Sequence, residues 1–129
     1  MSESKLVAEW VSKAEDDFET ATRIMRWRKK PQPDAACYHC QQCAEKYLKA
    51  FLVLHSVDFP RIHHLPKLNE LCATVEGSFV LIGDLLEQLN PFATETRYPG
   101  YSAQVSDARY AIAAAKQVRK FVRDQLKLK

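Results

Sequence analysis

The segment Arg97-Tyr98-Pro99-Gly100-Tyr101 combines a guanidinium, two phenols and a rigid turn. A guanidinium grips phosphate through paired N–H donors, and aromatic rings stack on bases. The same rings would serve equally well to anchor a loop to a core. His63 and His64 stand just ahead of Leu65-Pro66, a sequence that suits a helix start, where backbone N–H groups face outward and a histidine can cap or titrate. His39, Gln42, Lys46 and Lys49 fall within about 80° of one another on a helix. They offer imidazole, amide and ammonium donors to a phosphate or a base edge, although a plain solvated helix face carries the same pattern.

Cys37-x2-Cys40-x2-Cys43 has a spacing that also opens iron–sulfur cluster motifs. On a helix, however, thiols at i, i+3 and i+6 fan across about 120° and do not converge on one metal. The fourth cysteine, Cys72, lies in another element, so the thiols read as core, and the expectation is no metal and no cofactor. Lys116, Arg119, Lys120, Arg123 and Lys127 form a basic stripe at helical spacing. A phosphate-tracking surface would look like this, and so would a solvated face whose positive charge suits a helix C-terminus.

The elements that must position these residues are helical. Ala, Leu, Lys, Gln and Glu fill the long segments, and only 3 glycines punctuate 129 residues. A first helix is expected over residues 4–29, with Leu6, Trp10, Ala14, Phe18, Ala21 and Met25 as its buried stripe. Arg26, Arg28, Lys29 and Lys30 suit its negative end, and Pro31 and Pro33 stop it. Asp34 is expected to cap a second helix that buries Cys37, Cys40, Ala44, Tyr47, Leu48 and Phe51 and ends near His55. A short third helix should run from Leu65 to Val75, with Gly77 closing it. A fourth is expected over Phe79–Leu89, with Val80, Leu81, Leu85, Leu86 and Leu89 apolar. A loop over Phe92–Val105 holds the Arg97 segment, and Ser106 is expected to cap the last helix, which buries Ala108, Ala111, Ile112, Ala115, Val118 and Val122. The fold class is therefore all-α, an up-and-down helical bundle of four main helices plus a short one, in a single domain over residues 1–129.

A net charge of +3 does not argue for nucleic acid by itself. No segment is apolar enough to cross a bilayer, and Met1-Ser-Glu-Ser-Lys-Leu6 lacks the order of a signal peptide. The expected location is cytoplasmic, where free thiols persist.

Gln41-Gln-x-Ala-Glu-Lys-x-Leu-Lys49, His63-His64-Leu65-Pro66-Lys67-Leu68 and Arg97-Tyr98-Pro99-Gly100-Tyr101 occur in the order found in HEPN domains, and the chain resembles that family from about Ser4 to Leu126. The resemblance implies a helical bundle that pairs as a homodimer and binds nucleotide or RNA. It also implies a minimal nucleotidyltransferase as protein partner, in a toxin–antitoxin-like pair. On this reading Arg97, Tyr98, Tyr101, His63, His39, Gln42, Lys46 and Lys49 are the candidate nucleotide- or RNA-binding residues. Relatives read Thr-His-Asp-Leu-Pro where this chain has Ile62-His63-His64-Leu65-Pro66, so the expected cap before the third helix is altered. Many HEPN RNases place an Arg ahead of a His with four to six residues between. After Arg97 those positions hold Ser102, Ala103 and Gln104, and the nuclease pair is missing. Two alternatives stay open. One is a degenerate metal-independent RNase using Arg97 with His63 or His64 across the bundle end; the other is a pure protein-interaction module.

Overall fold

A computed structural model describes residues 2–27 and 29–128. Its helices are α1 (Glu3–Arg26), α2 (Pro33–Leu54), α3 (Leu65–Val75), α4 (Gly83–Leu89) and α5 (Val105–Gln125), with 3₁₀ turns at Gly77–Ile82, Asn90–Ala93 and Glu95–Arg97. The all-α bundle expected from the sequence is what the chain forms.

α2 is the axis of the bundle. Cys37, Cys40, Ala44, Tyr47, Leu48 and Phe51 are buried as expected, and α2 also buries Gln41, Glu45 and Lys49. α1 runs antiparallel to it, joined by Asp17 to His39 near one end and by Glu3 to Ser56 at the other. α5 runs parallel to α2, from the Asp34–Ala103 contact to the Tyr47–Arg123 contact. Between them, residues 55–64 return along α2 as a strap, so α3 also starts beside Gln41 and runs parallel to α2. α4 then comes back toward the start of α3, where the Asn90 side-chain oxygen accepts from the Leu65 N–H at 2.9 Å.

Alanine and cysteine on the facing stripes let helices approach closely. Ala14 and Ala21 of α1 and Ala108, Ala111 and Ala115 of α5 are fully buried. At the far end Phe51, Phe79 and Phe121 pack as a ladder, with ring centroids 4.5 and 5.0 Å apart. The fully buried rings of Phe51 and Phe79 each contribute about 1.5–3 kcal/mol.

Several boundaries depart from the sequence expectation, each for a local reason. α1 ends at Arg26 rather than 29, because Trp27 turns to extended backbone while its N–H still bonds the Ile24 carbonyl; the expected dipole role of Arg28 lies outside the described residues. Of the predicted α1 stripe, Leu6 is exposed and Trp10 only half-buried. Asp34 does not cap α2. Gln32 holds the cap position with Pro33 opening the helix, and the Asp34 carboxylate instead accepts from the Ala103 N–H at 2.7 Å. Ser106 does not cap α5 either, since the helix starts earlier and the Asp107 carboxylate accepts from the Gln104 N–H at 2.8 Å. Gly77 opens a 3₁₀ turn rather than closing α3. Across that turn the winding is near three residues per turn, so only residues three apart share a face. Phe79 and Ile82 take the core side, leaving Val80 and Leu81 69% and 76% exposed where burial was expected.

Burial pushes all four thiols up, Cys37 and Cys72 to about 12. The thiolate is the reactive form, so a disulfide reagent at about pH 8 should find no fast-reacting thiol in the native protein. It should titrate four after denaturation. A thiol that reacts at the rate of free cysteine would show that the α2 stripe opens in solution.

Candidate functional site

The N-terminal end of α2 and the turn at Glu95–Arg97 enclose an open cleft of about 560 Å³, lined by Lys30, Asp34, Tyr38, His39, Thr96 and Arg97 among others. Arg97 gets there because Asp34 fixes the loop at Ala103 and Thr96 bonds the Phe92 carbonyl, which pins the short 3₁₀ turns against α2. Its guanidinium carbon sits 5.3 Å from the Tyr38 ring centroid. A cation held over a ring in this way still has N–H donors to offer an anion. The Tyr38 ring in turn meets the His39 ring edge-on at 5.4 Å.

His39 is oriented from behind. Its Nδ1 lies 2.7 Å from the Asp17 Oδ1, and Lys46 Nζ donates to the other Asp17 oxygen at 2.6 Å. A carboxylate at Nδ1 keeps the proton on that nitrogen, so Nε2 is the one available to a ligand. The cleft thus gathers a guanidinium, an ammonium, an imidazole and a phenol ring. Such a set can hold a phosphate beside a stacked base, and it can also move a proton at an anionic substrate.

The other candidates lie elsewhere on the same helix. Gln41, Glu45 and Lys49 follow one another at one-turn steps along α2. The Glu45 carboxylate, 3% exposed, accepts from Lys49 Nζ at 3.1 Å and stands 2.9 Å from His63 Nδ1. Gln41 donates to the His63 carbonyl at 3.0 Å, and Gln42 donates to the Gln41 side-chain oxygen. Lys49 Nζ further lies 5.6 and 5.7 Å from the rings of Trp10 and Phe59. Lys46 and Lys49 are therefore internal counter-charges, and His63 is the clasp of the 55–64 strap. His64 takes over the cap of α3, its Nδ1 accepting from the Lys67 N–H at 3.2 Å. Tyr98 and Tyr101 line a separate hollow of about 460 Å³ within their own loop, which turns at Gly100 with φ +97°, a conformation glycine adopts without strain. Partial burial raises the Tyr101 phenol above its usual range, aided by Asp107.

Arg97 and His39 thus share a site, and neither His63 nor His64 lines it. Among the sequence candidates the basic stripe is partly spent as well, since Arg119 forms a two-pronged pair with Glu15 at 2.6 and 2.7 Å. That pairing with Arg119 holds Glu15 below the usual carboxylate range. Asp17, Lys30, Tyr38 and Glu45 were not singled out from the sequence as site residues. Asp17 had a signal, because it falls on the buried stripe between Ala14 and Ala21, where an acid needs a partner.

Replacing Glu45 with Ala would leave the Lys49 ammonium buried and unpaired, with an expected loss of about 3–5 kcal/mol. Adding Lys49→Met should recover much of it, because the methionine stem fills the same space between Trp10 and Phe59. Urea denaturation measures both; a Glu45→Ala variant as stable as the parent would refute the buried pair.

The family model of the HEPN domain matches residues 7–125. A crystal structure of an archaeal HEPN homologue superimposes with a TM-score of 0.70 at 26% identity, over 92% of this chain and 96% of that one. No curated protein matches the chain significantly, and among the described residues no helix is long and apolar enough to cross a membrane. With the profile running from α1 to the end of α5 and the same bundle in an archaeal homologue, this chain belongs to the HEPN domain family.

Proposed function

We propose that this protein is a single-domain, cytoplasmic HEPN dimer that binds a nucleotide or RNA in the Arg97 cleft and acts with a minimal nucleotidyltransferase in a toxin–antitoxin-like pair. One observation carries the binding part of this reading. A guanidinium over the Tyr38 ring shares an open cleft with Lys30 and with a histidine held from behind by Asp17. Cations with free edges beside an aromatic ring are what a phosphate and its base require. The partner and the pairing come from the family resemblance.

Fluorescence anisotropy with a labelled single-stranded RNA, competed by ATP, tests the cleft. Arg97→Glu should weaken binding by about 30-fold or more, in line with loss of charge-assisted hydrogen bonds in a specific site. Lys127→Glu, in the exposed turn just beyond α5, should cost only about 2- to 5-fold through screened attraction. Equal losses would move the ligand from the cleft to the α5 stripe.

A second reading, an RNase, has an observation of its own. Transphosphorylation of RNA needs a group that takes the 2′-hydroxyl proton and returns one to the departing 5′-oxygen, and a cation for the charge developing on the phosphoryl oxygens. His39 and Arg97 supply both types in one cleft, although the chain lacks the familiar offset between them. The binding reading expects cleavage of total cellular RNA by the parent protein to be no faster than by Arg97→Ala. Cleavage abolished by both Arg97→Ala and His39→Ala, and retained by His63→Ala and His64→Ala, would establish the RNase instead.

A further inference from the structure

Between α3 and α4 lies a groove of about 320 Å³, to which α3 contributes Asn69, Glu70 and Ala73, α4 contributes Asp84 and Glu87, and the 3₁₀ turn joining them contributes Val80. Among the described residues no lysine, arginine or histidine lines it, although the chain as a whole carries a net charge of +3. Asp84 and Glu87 have no ion-pair partner among the described residues, and the exposed Glu70 has a loose contact with Lys67 at 3.7 Å. Exposed carboxylates alone ask for no ligand, because water holds them well.

Asn69 is a different case. It is 8% exposed, and its Nδ2 donates to the Phe79 carbonyl at 3.1 Å. The reverse orientation of the amide would set two oxygens against each other, so this bond fixes which atom is which. Oδ1 is left buried, the one such side-chain acceptor without a hydrogen-bond partner among the described residues. A buried acceptor left unmet costs free energy, which a donor arriving through the groove would return.

We propose that this groove receives an arginine side chain from an apolar segment of a partner protein. A guanidinium carries five donors in a planar fork and no acceptor, so one group can meet the Asn69 oxygen and the Asp84 and Glu87 carboxylates together. It is also more weakly hydrated than an ammonium, which suits a groove with apolar walls. Ala73 and Val80 offer cover to its methylene stem. Val80 and its neighbour Leu81 stand exposed on the same turn, and apolar residues beside the arginine would cover them. A free cation gains nothing from that pair, which is why the occupant is a protein segment. The groove shares no lining residue with the Arg97 cleft, so the two sites stand or fall separately.

Amide NMR of the isotope-labelled protein, titrated with acetyl-leucyl-arginyl-leucine amide up to about 5 mM, provides the test. The side-chain amide signals of Asn69 should shift saturably, together with the backbone amide of Asp84. The same peptide with citrulline in place of arginine keeps the shape and loses the charge, and should bind about 10-fold more weakly or worse. Asp84→Asn combined with Glu87→Gln should weaken the arginine peptide by a similar factor. Both positions are exposed, so that variant should keep the helical spectrum and melting behaviour of the parent. Arginine amide alone, without the leucines, should also bind about 10-fold more weakly. No saturable shift at Asn69, a citrulline peptide that binds equally well, or binding untouched by the double substitution would overturn the proposal. Arginine amide binding as tightly as the peptide would assign the groove to a free cation and overturn it as well.

Discussion

A helix enclosed by its neighbours has no solvated face on which to leave polar groups, and α2 is enclosed by α1, α5, α3 with its strap, and the turns that carry Arg97. Each polar side chain that points from it must meet a partner inside the protein or cost several kcal/mol. The architecture follows from how those partners are supplied. Asp17 comes from α1 for His39 and Lys46, Glu15 comes from α1 for Tyr47, and the His63 carbonyl and ring come from the strap for Gln41 and Glu45. Burial and the hydrogen bond to Glu15 accordingly push the Tyr47 phenol far above its ordinary range.

The cleft is where the first turns of α2 reach water. At the first turns the helix end is covered on one side by the loop that Asp34 ties down through Ala103. His39 is half-buried there, supported from within and open outward. A position of this kind gives a side chain a fixed orientation and access to a ligand together. Further along α2, Lys49 and Glu45 have orientation without access.

Much of the fold was legible because the apolar periodicity of α2 and α5 is clean and α3 has proline in its first turn. Most of the misplacements share one cause, which is that local sequence does not report what the rest of the fold supplies. Asp34 has the chemistry of a cap, yet a tertiary N–H just ahead of α5 claims its carboxylate. His39, Gln42, Lys46 and Lys49 share a face in a helical projection, and a projection cannot tell a solvated face from one covered by α1 and a strap. Val80 and Leu81 read as core because an α-helical period was assumed; a 3₁₀ turn changes the spacing and brings Phe79 and Ile82 inward instead.

Pairs of residues that act together are the hardest feature to read from spacing. An offset along one helix fixes the distance between two side chains, so its absence removes that arrangement and no other. Here the guanidinium comes from a 3₁₀ turn near the end of the chain and the imidazole from α2, with 57 positions between Arg97 and His39. Neither the turn nor the helix specifies the meeting. It is set by Asp34 holding the loop and Asp17 holding the ring, two acids whose partners the sequence does not name. The cleft is thus a product of packing around α2, and its chemistry depends on two carboxylates whose roles only the fold defines.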